Sequence, residues 1–194
     1  MNLKRSGFKV NVKELVNSGN PYNDFAPEVA KARDEARELT RNYNNKVNLE
    51  GLYDKEIISN LVGSHGENFT IESNFRCEFG FNISFGENFY GNHDLIILDC
   101  NQVTIGDDVL FGPRVGLYAA NHAQDPVARA AGDVYSKPIT IGDKVWLCGD
   151  VSVAPGVTIG ENSIIGTGSV VVKDIPANVV AAGNPCKVIK SIYD

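Results

Sequence analysis

Apolar residues recur every six positions through the second half of the chain. Ile141, Leu147, Val153, Ile159, Ile165 and Val171 open successive hexads, and Val145, Val151, Val157, Ser163, Ser169 and Ile175 hold the fifth place of each. A unit this short is one strand plus a turn, and a hexapeptide repeat predicts a parallel β-helix. The first residue of each unit points inward, and small residues at the corners let the backbone bend. A single coil cannot bury its own apolar face, so coils must stack. Sandwich strands would recur at about 8–12 residues, which this spacing does not match. Upstream the pattern starts at Phe69 and is less regular. Phe79, Phe85, Ile97, Ile105 and Phe111 read as hexad starts, and a two-residue slip near Gln102–Thr104 predicts a loop there. The aromatic residues Phe75, Phe79, Phe81, Phe85 and Phe89 point to wider or capped coils.

Residues 1–62 follow helical spacing instead. Val12, Leu15 and Val16 make a short apolar face. Val29, Ala32, Ala36, Leu39 and Tyr43 form one stripe of an amphipathic helix whose first turn holds Pro27 and Glu28. A third helix is expected around Leu52–Val62, with Ile57, Ile58, Leu61 and Val62 on one side. A solenoid needs such a cap over its end, and part of the segment can also cover a substrate. The chain thus divides into a helical segment, 1–62, and a β-helix, 63–194. One stretch at about 117–138, which carries His122, abandons the hexads; long excursions from a regular solenoid are usually functional or disordered. After Pro176 the tail ends in V-I-K-S-I-Y, read as a short closing strand or a helical turn.

Composition narrows the function classes. The chain has 194 residues, is 43% hydrophobic and carries a net charge of −6, with a pI near 5.1. A broad nucleic-acid surface does not fit that balance. No apolar run is long enough to span a membrane, and the N-terminus M-N-L-K-R-S-G-F-K-V has no apolar core of a secretory signal. Cys77, Cys100, Cys148 and Cys186 are widely spaced and read as reduced thiols of a cytoplasmic protein.

The hexads, the His-bearing excursion and the N-terminal helices together resemble the maltose/galactoside O-acetyltransferase family. The resemblance rests on P-Y-N-D-F-A-P-E-V, N-F-R-C-E-F-G-F-N-I, G-E-N-F-Y-G-N-H-D-L-I-I-L-D, N-H-A-Q-D-P, K-P-I-T-I-G-D-K-V-W-L and D-I-P-A-N-V-V-A-A-G-N-P-C-K-V-I, and covers the chain from about Val12 onward. It implies a left-handed β-helix, acetyl-CoA as co-substrate without a metal, a sugar hydroxyl as acceptor, and a homotrimer with active sites between subunits.

His122 is the candidate general base. Acetyl transfer to a hydroxyl needs a proton removed as oxygen attacks, and an imidazole of ordinary pKa near 6.5 suits that task; otherwise it is a solvated loop histidine. Asp125, Asp133 or Glu78 can orient its ring. The resemblance places the acceptor at Asp24, Glu78, Tyr90 and Asn92. Carboxylates and an amide can grip sugar hydroxyls, and Tyr90 can stack on a sugar face. The alternatives are that Asp24 caps the following helix and that Asn92 bonds a turn. Family members usually carry Asp or Ser where this chain has Glu78, so a longer carboxylate bears on which sugar is preferred. On the donor side the resemblance implies Trp146, Gly149 and Thr167 along the pantetheine arm and Lys173, Lys187 and Lys190 near the CoA phosphates. The last two are often Arg in the family, and Lys binds phosphate as a point charge. Cys148 reads as a small apolar packing residue.

Three other readings stay open at this level. The acceptor can be a serine hydroxyl, an amino sugar or an antibiotic, because substrates drift on one scaffold. A zinc lyase on the same helix would need three histidines; the chain has only His65, His93 and His122, and His65 precedes the repeats. A non-catalytic scaffold would be indifferent to CoA and to the loss of His122.

Overall fold

The structure, a computed structural model, describes residues 11–194; the expectation of no secretory signal rests on the first ten residues, which lie outside that range. Three helices open the described chain. Helix α1 (Val12–Val16) starts at Asn11, whose side chain accepts from the Glu14 N–H. After the short strand β1 (Tyr22–Asn23), α2 spans Pro27–Glu50 and stops at Gly51, whose φ of 66° is the left-handed helix terminator that glycine adopts without strain. Asp54 caps α3 (Lys55–Leu61) by accepting from the N–H groups of Glu56 and Ile57. Val29, Ala36, Thr40 and Tyr43 form the buried face of α2, and the Tyr43 hydroxyl donates to the Ile71 carbonyl at 2.6 Å. That bond ties the helix across the first coil of the solenoid.

The solenoid is a parallel β-helix of three walls. The first coil is β2 (Ser64–His65), β3 (Phe69–Ile71) and β4 (Arg76–Cys77); the second is β5 (Ile83–Phe85), β6 (Phe89–Gly91) and β7 (Ile96–Leu98); the third is β8 (Val103–Ile105), β9 (Leu110–Phe111) and β10 (Gly116–Tyr118). An arm of β11 (Ala120–His122), α4 (Pro126–Ala130) and β12 (Asp133–Ser136) leaves the helix here. Two more coils follow: β13 (Ile139–Ile141), β14 (Trp146–Leu147) and β15 (Ser152–Val153), then β16 (Thr158–Ile159), β17 (Ile164–Ile165) and β18 (Val170–Val171). Ile175 bridges Ile159 to begin another turn, and β19 (Val179–Ala182) closes it with β20 (Lys187–Ser191) antiparallel on its edge. The tail therefore ends in a strand. In the order met along a coil, the first wall stacks β2, β5, β8, β13 and β16, the second β3, β6, β9, β14, β17 and β19, and the third β4, β7, β10, β15 and β18.

Register explains the irregular upstream pattern. Ile141 stacks on Ile159, one 18-residue coil later, whereas His65, Phe85 and Ile105 stack at intervals of 20. The two extra residues sit each time at the corner that leaves the third wall, at 78–82 and again at 99–102. The slip read near Gln102–Thr104 is the second of these. Phe79 is thus no hexad start. Cys77 takes the in-frame position, and Phe79 belongs to a separate buried cluster with Val16, Tyr22, Val29, Cys100 and Val134, outside the main core. The long arm leaves from the same corner of the third coil, between Tyr118 and Ile139. It is ordered by antiparallel pairing, β12 lying between β11 and β1.

Inward residues two apart fill the helix: Val109 and Phe111, Val115 and Leu117, Val145 and Leu147, Val151 and Val153 are all buried. Phe69, Phe85, Phe89 and Phe111 form an aromatic ladder with successive centroids 5.1, 4.9 and 5.2 Å apart. The corners turn through left-handed residues, mostly Asn and Asp, such as Asn88, Asp94, Asp108, Asp150 and Asn162. These types tolerate that conformation best after glycine.

Candidate active site

The widened corner of the first coil, the end of α1 and the start of α2 converge on one polar cluster. Pairing of β1 with β12 sets Asp24 beside the arm, and the Asp24 N–H donates to the Gly132 carbonyl at 2.8 Å. The Asp24 side chain does not cap α2, whose N-cap is Ala26 with no side-chain bond. Instead it accepts from Nη2 of Arg33 at 2.5 Å, while Arg33 Nε donates to Glu78 Oε1. All three side chains are largely enclosed, at 15% exposure for Arg33, 26% for Asp24 and 19% for Glu78. Burial opposes the guanidinium charge, and the two carboxylates more than offset it, so its proton is held more tightly than usual. Sequence reasoning missed Arg33. It lies one position past the apolar stripe of α2, where arginine ordinarily faces solvent, and only the fold brings it to Glu78.

Beneath this cluster lies Asp99, fully buried. Its carboxylate accepts from the N–H groups of Glu78, Phe79 and Asn82. Burial pushes its pKa up to about 6, against the lowering effect of those donors. Tyr22 and Cys100 flank the cluster, both buried, and burial pushes the Cys100 thiol up to about 12.

His122 ends β11, opposite Val134 of β12, and is exposed. Among the described residues no protein hydrogen bond fixes its ring. Of the three residues expected to orient it, Asp125 uses Oδ2 to cap α4 at Ala128 N–H, 2.7 Å away, and Glu78 is held by Arg33. Asp133 lies across the arm, its carbonyl accepting from the Ala123 N–H at 3.1 Å.

Tyr90 and Asn92 do not join Asp24 and Glu78. They belong to β6 of the second wall and the corner that follows it. Tyr90 faces outward in a column with Leu110 and Trp146, and its hydroxyl donates to Glu72 at 3.3 Å, where Tyr53 donates at 2.7 Å. Asn92 accepts from the His93 N–H at 2.8 Å, so its side-chain oxygen does serve the turn. Gly149 and Thr167 occupy this same corner in higher coils, the Gly168 N–H donating to Gly149 O at 3.0 Å. Close stacking explains the glycines: a Cβ at Gly112 would stand 2.6 Å from the Gly149 nitrogen. Trp146 is 47% exposed on the wall beside them. Burial raises the Cys148 thiol above its usual pKa, with Thr167 opposing, which suits packing rather than nucleophilic attack.

The lysines divide too. Lys187 and Lys190 lie on β20 at the edge of the second wall, while Lys173 follows β18 at the far corner of the third. None of the three forms an ion pair among the described residues. The described residues contain no group of three or more His, Cys, Asp or Glu placed to hold a metal ion, and no helix among them is long and apolar enough to cross a membrane.

Comparison with known proteins identifies the family. Residues 138–173 match the bacterial transferase hexapeptide (six repeats) model, and residues 16–66 match the maltose acetyltransferase hexapeptide capping motif. The galactoside O-acetyltransferase of Escherichia coli K12 is 41% identical over 181 residues, covering 93% of this chain and 89% of the relative. A crystal structure of a maltose O-acetyltransferase from Clostridium difficile 630 superposes with a TM-score of 0.89 at 44% identity, covering 94% of this chain and 97% of that one. A galactoside acetyltransferase in complex with coenzyme A superposes with a TM-score of 0.87 at 40% identity, covering 94% and 92%. The chain belongs to the galactoside/maltose O-acetyltransferase family of hexapeptide-repeat acetyltransferases.

Proposed function

We propose that this protein moves the acetyl group of acetyl-CoA to a hydroxyl of a sugar of the maltose, glucose or galactoside type, by direct attack in a ternary complex. His122 Nε2 or Nδ1 takes the proton of the sugar hydroxyl as its oxygen attacks the thioester carbonyl carbon. The C–O bond forms, the C–S bond breaks, and the imidazolium returns the proton to the departing thiolate. Asp24 and Glu78, set by Arg33, accept hydrogen bonds from neighbouring sugar hydroxyls. Trp146, Gly149 and Thr167 line the pantetheine arm, Lys187 and Lys190 attract the phosphates, and Lys173 adds positive charge at the top of the solenoid.

One observation carries the assembly. The acceptor group and His122 stand where the chain leaves the third wall, whereas Tyr90, Asn92, Trp146, Gly149 and Thr167 stand on the second wall or where the chain enters the third. About six extended residues separate the edges, roughly 15–20 Å at ~3.3 Å per residue. One chain therefore cannot bring its own two halves together. A homotrimer, each chain's acceptor edge against its neighbour's donor edge, completes three sites. The third wall then faces the axis, which suits its outward Ile96, Leu98, Gly116, Tyr118 and Val170. Four free thiols fit a cytoplasmic location.

The test is acetylation of a panel of maltose, glucose, galactosides, glucosamine and serine, with products read by mass, beside sedimentation of the protein. The account expects an O-acetylated sugar and a particle of three times the 21.0 kDa chain. Acetyl-CoA binding without any acetylated sugar would reject the acceptor class, and an active monomer would reject the divided site.

A further inference from the structure

Acceptor binding in the proposed reaction depends on where the Glu78 carboxylate points, and Glu78 sits on a widened corner rather than on a regular strand. One side chain from the next coil pins that corner. Asp99 Oδ1 accepts from the N–H of Glu78 at 3.0 Å and from that of Phe79 at 2.9 Å, and Oδ2 accepts from Asn82 N–H at 3.2 Å. The Asp99 carbonyl accepts from Asn82 Nδ2 at 2.9 Å, and Asn82 Oδ1 in turn accepts from Asn17 Nδ2 at 2.8 Å, at the C-cap of α1. Three converging backbone donors need a group that only accepts. A carboxylate does so with both oxygens, whereas an amide of the same shape turns an NH₂ toward at least one of them. With 0% exposure, Asp99 cannot touch an acceptor, so its influence passes through the corner it holds.

We propose that Asp99 is a positioning residue for the acceptor: by fixing the 78–82 corner it sets the direction of the Glu78 carboxylate, which Arg33 couples to Asp24. The inference rests on the reading of Glu78 as an acceptor-binding group. The Asp99 hydrogen bonds end on Glu78, Phe79 and Asn82, and none reaches Trp146, Gly149, Thr167 or the donor-side lysines. Disturbing Asp99 should therefore reach acceptor binding and leave acetyl-CoA binding alone, a split that general loss of stability would not produce.

The experiment is steady-state kinetics with both substrates on Asp99→Asn, Glu78→Ala and the double variant, each checked for native assembly and Tm. Asp99→Asn should raise the acceptor KM about tenfold, with the acetyl-CoA KM within about threefold of wild type. In the Glu78→Ala background it should add less than about twofold, because the two act on one interaction. Should Asp99→Asn fail to assemble, Asn82→Ala, which loosens the same corner from the α1 side, is expected to raise the acceptor KM about threefold with the acetyl-CoA KM unchanged. A folded Asp99→Asn with unaltered acceptor KM would overturn the inference, as would a parallel rise in both KM values or full additivity with Glu78→Ala. If Glu78→Ala itself leaves the acceptor KM unchanged, the reading of Glu78 fails and the positioning role with it.

Discussion

Replacing Arg33 by Met tests whether the acceptor half is held together as described. Among the described residues Arg33 is the one cation shared by Asp24 and Glu78, and its side chain is 15% exposed. Methionine keeps much of the apolar stem but leaves two carboxylates facing each other without a counter-ion. Removing one partner of a buried ion pair costs about 3–5 kcal/mol. Exposure of 26% at Asp24 and 19% at Glu78 lets water screen part of the repulsion, so about 2–3 kcal/mol is expected here. Urea unfolding at neutral pH reads that loss as a lower midpoint at unchanged slope. Repulsion also drives Asp24 and Glu78 apart, so the acceptor KM should rise about tenfold or more while the acetyl-CoA KM stays near wild type. Loss of less than about 0.5 kcal/mol, the level of an ordinary surface substitution, with an unchanged acceptor KM would refute the shared-cation reading.

Three further outcomes follow from named contacts. Lys187→Gln with Lys190→Gln should raise the acetyl-CoA KM about tenfold and weaken its salt dependence, measured by initial rates between low and high ionic strength, since neither lysine forms an ion pair among the described residues. Gly112→Ala should lower thermal stability, because the added Cβ would stand 2.6 Å from the Gly149 backbone nitrogen, where no flexible side chain can yield; a wild-type Tm would contradict that close approach. The Asp99 carboxyl, with a folded pKa of about 6 above its unfolded value near 3.9, binds its proton more tightly in the native state. Its contribution to stability is then fully present below about pH 4 and is lost as pH rises through 6. Titration of its carbon resonance should give a midpoint near 6, and a midpoint below 4 would contradict the burial.

Much of this architecture is legible along the chain, because stacked coils translate directly into a sequence period. From Ile141 to Val171 each coil has 18 residues, so three strands and three corners fall into even sixes. In the first two coils the same walls are kept but one corner holds two more residues, and in the third that corner gives off the arm. Phe79, apolar and six short of Phe85, then imitates a hexad start although it packs outside the main core. The arm was visible as a break in the period, but its pairing with β1 was not, since Tyr22–Asn23 is too short a strand to announce itself. Long-range placement escaped sequence in the site as well. Arg33 reads as one more polar residue of α2, and Asp99 ends an apolar run as a loop residue would. Tyr90 and Asn92 belong with Asp24 and Glu78 by resemblance, yet the coil carries them to the opposite edge of the third wall.

The most direct measurement of the central claim is single-turnover and steady-state acetyl transfer by His122→Ala beside wild type. Both would use saturating acetyl-CoA and the best sugar of the panel, with ester product read by mass. The account predicts a fall in kcat of about 10²–10⁴, the usual contribution of a positioned general base. Both KM values should stay within a few-fold, and activity should return in part with added imidazole. A variant that keeps more than a tenth of the wild-type kcat, or that loses acetyl-CoA binding instead, would contradict His122 as the base that takes the acceptor's proton.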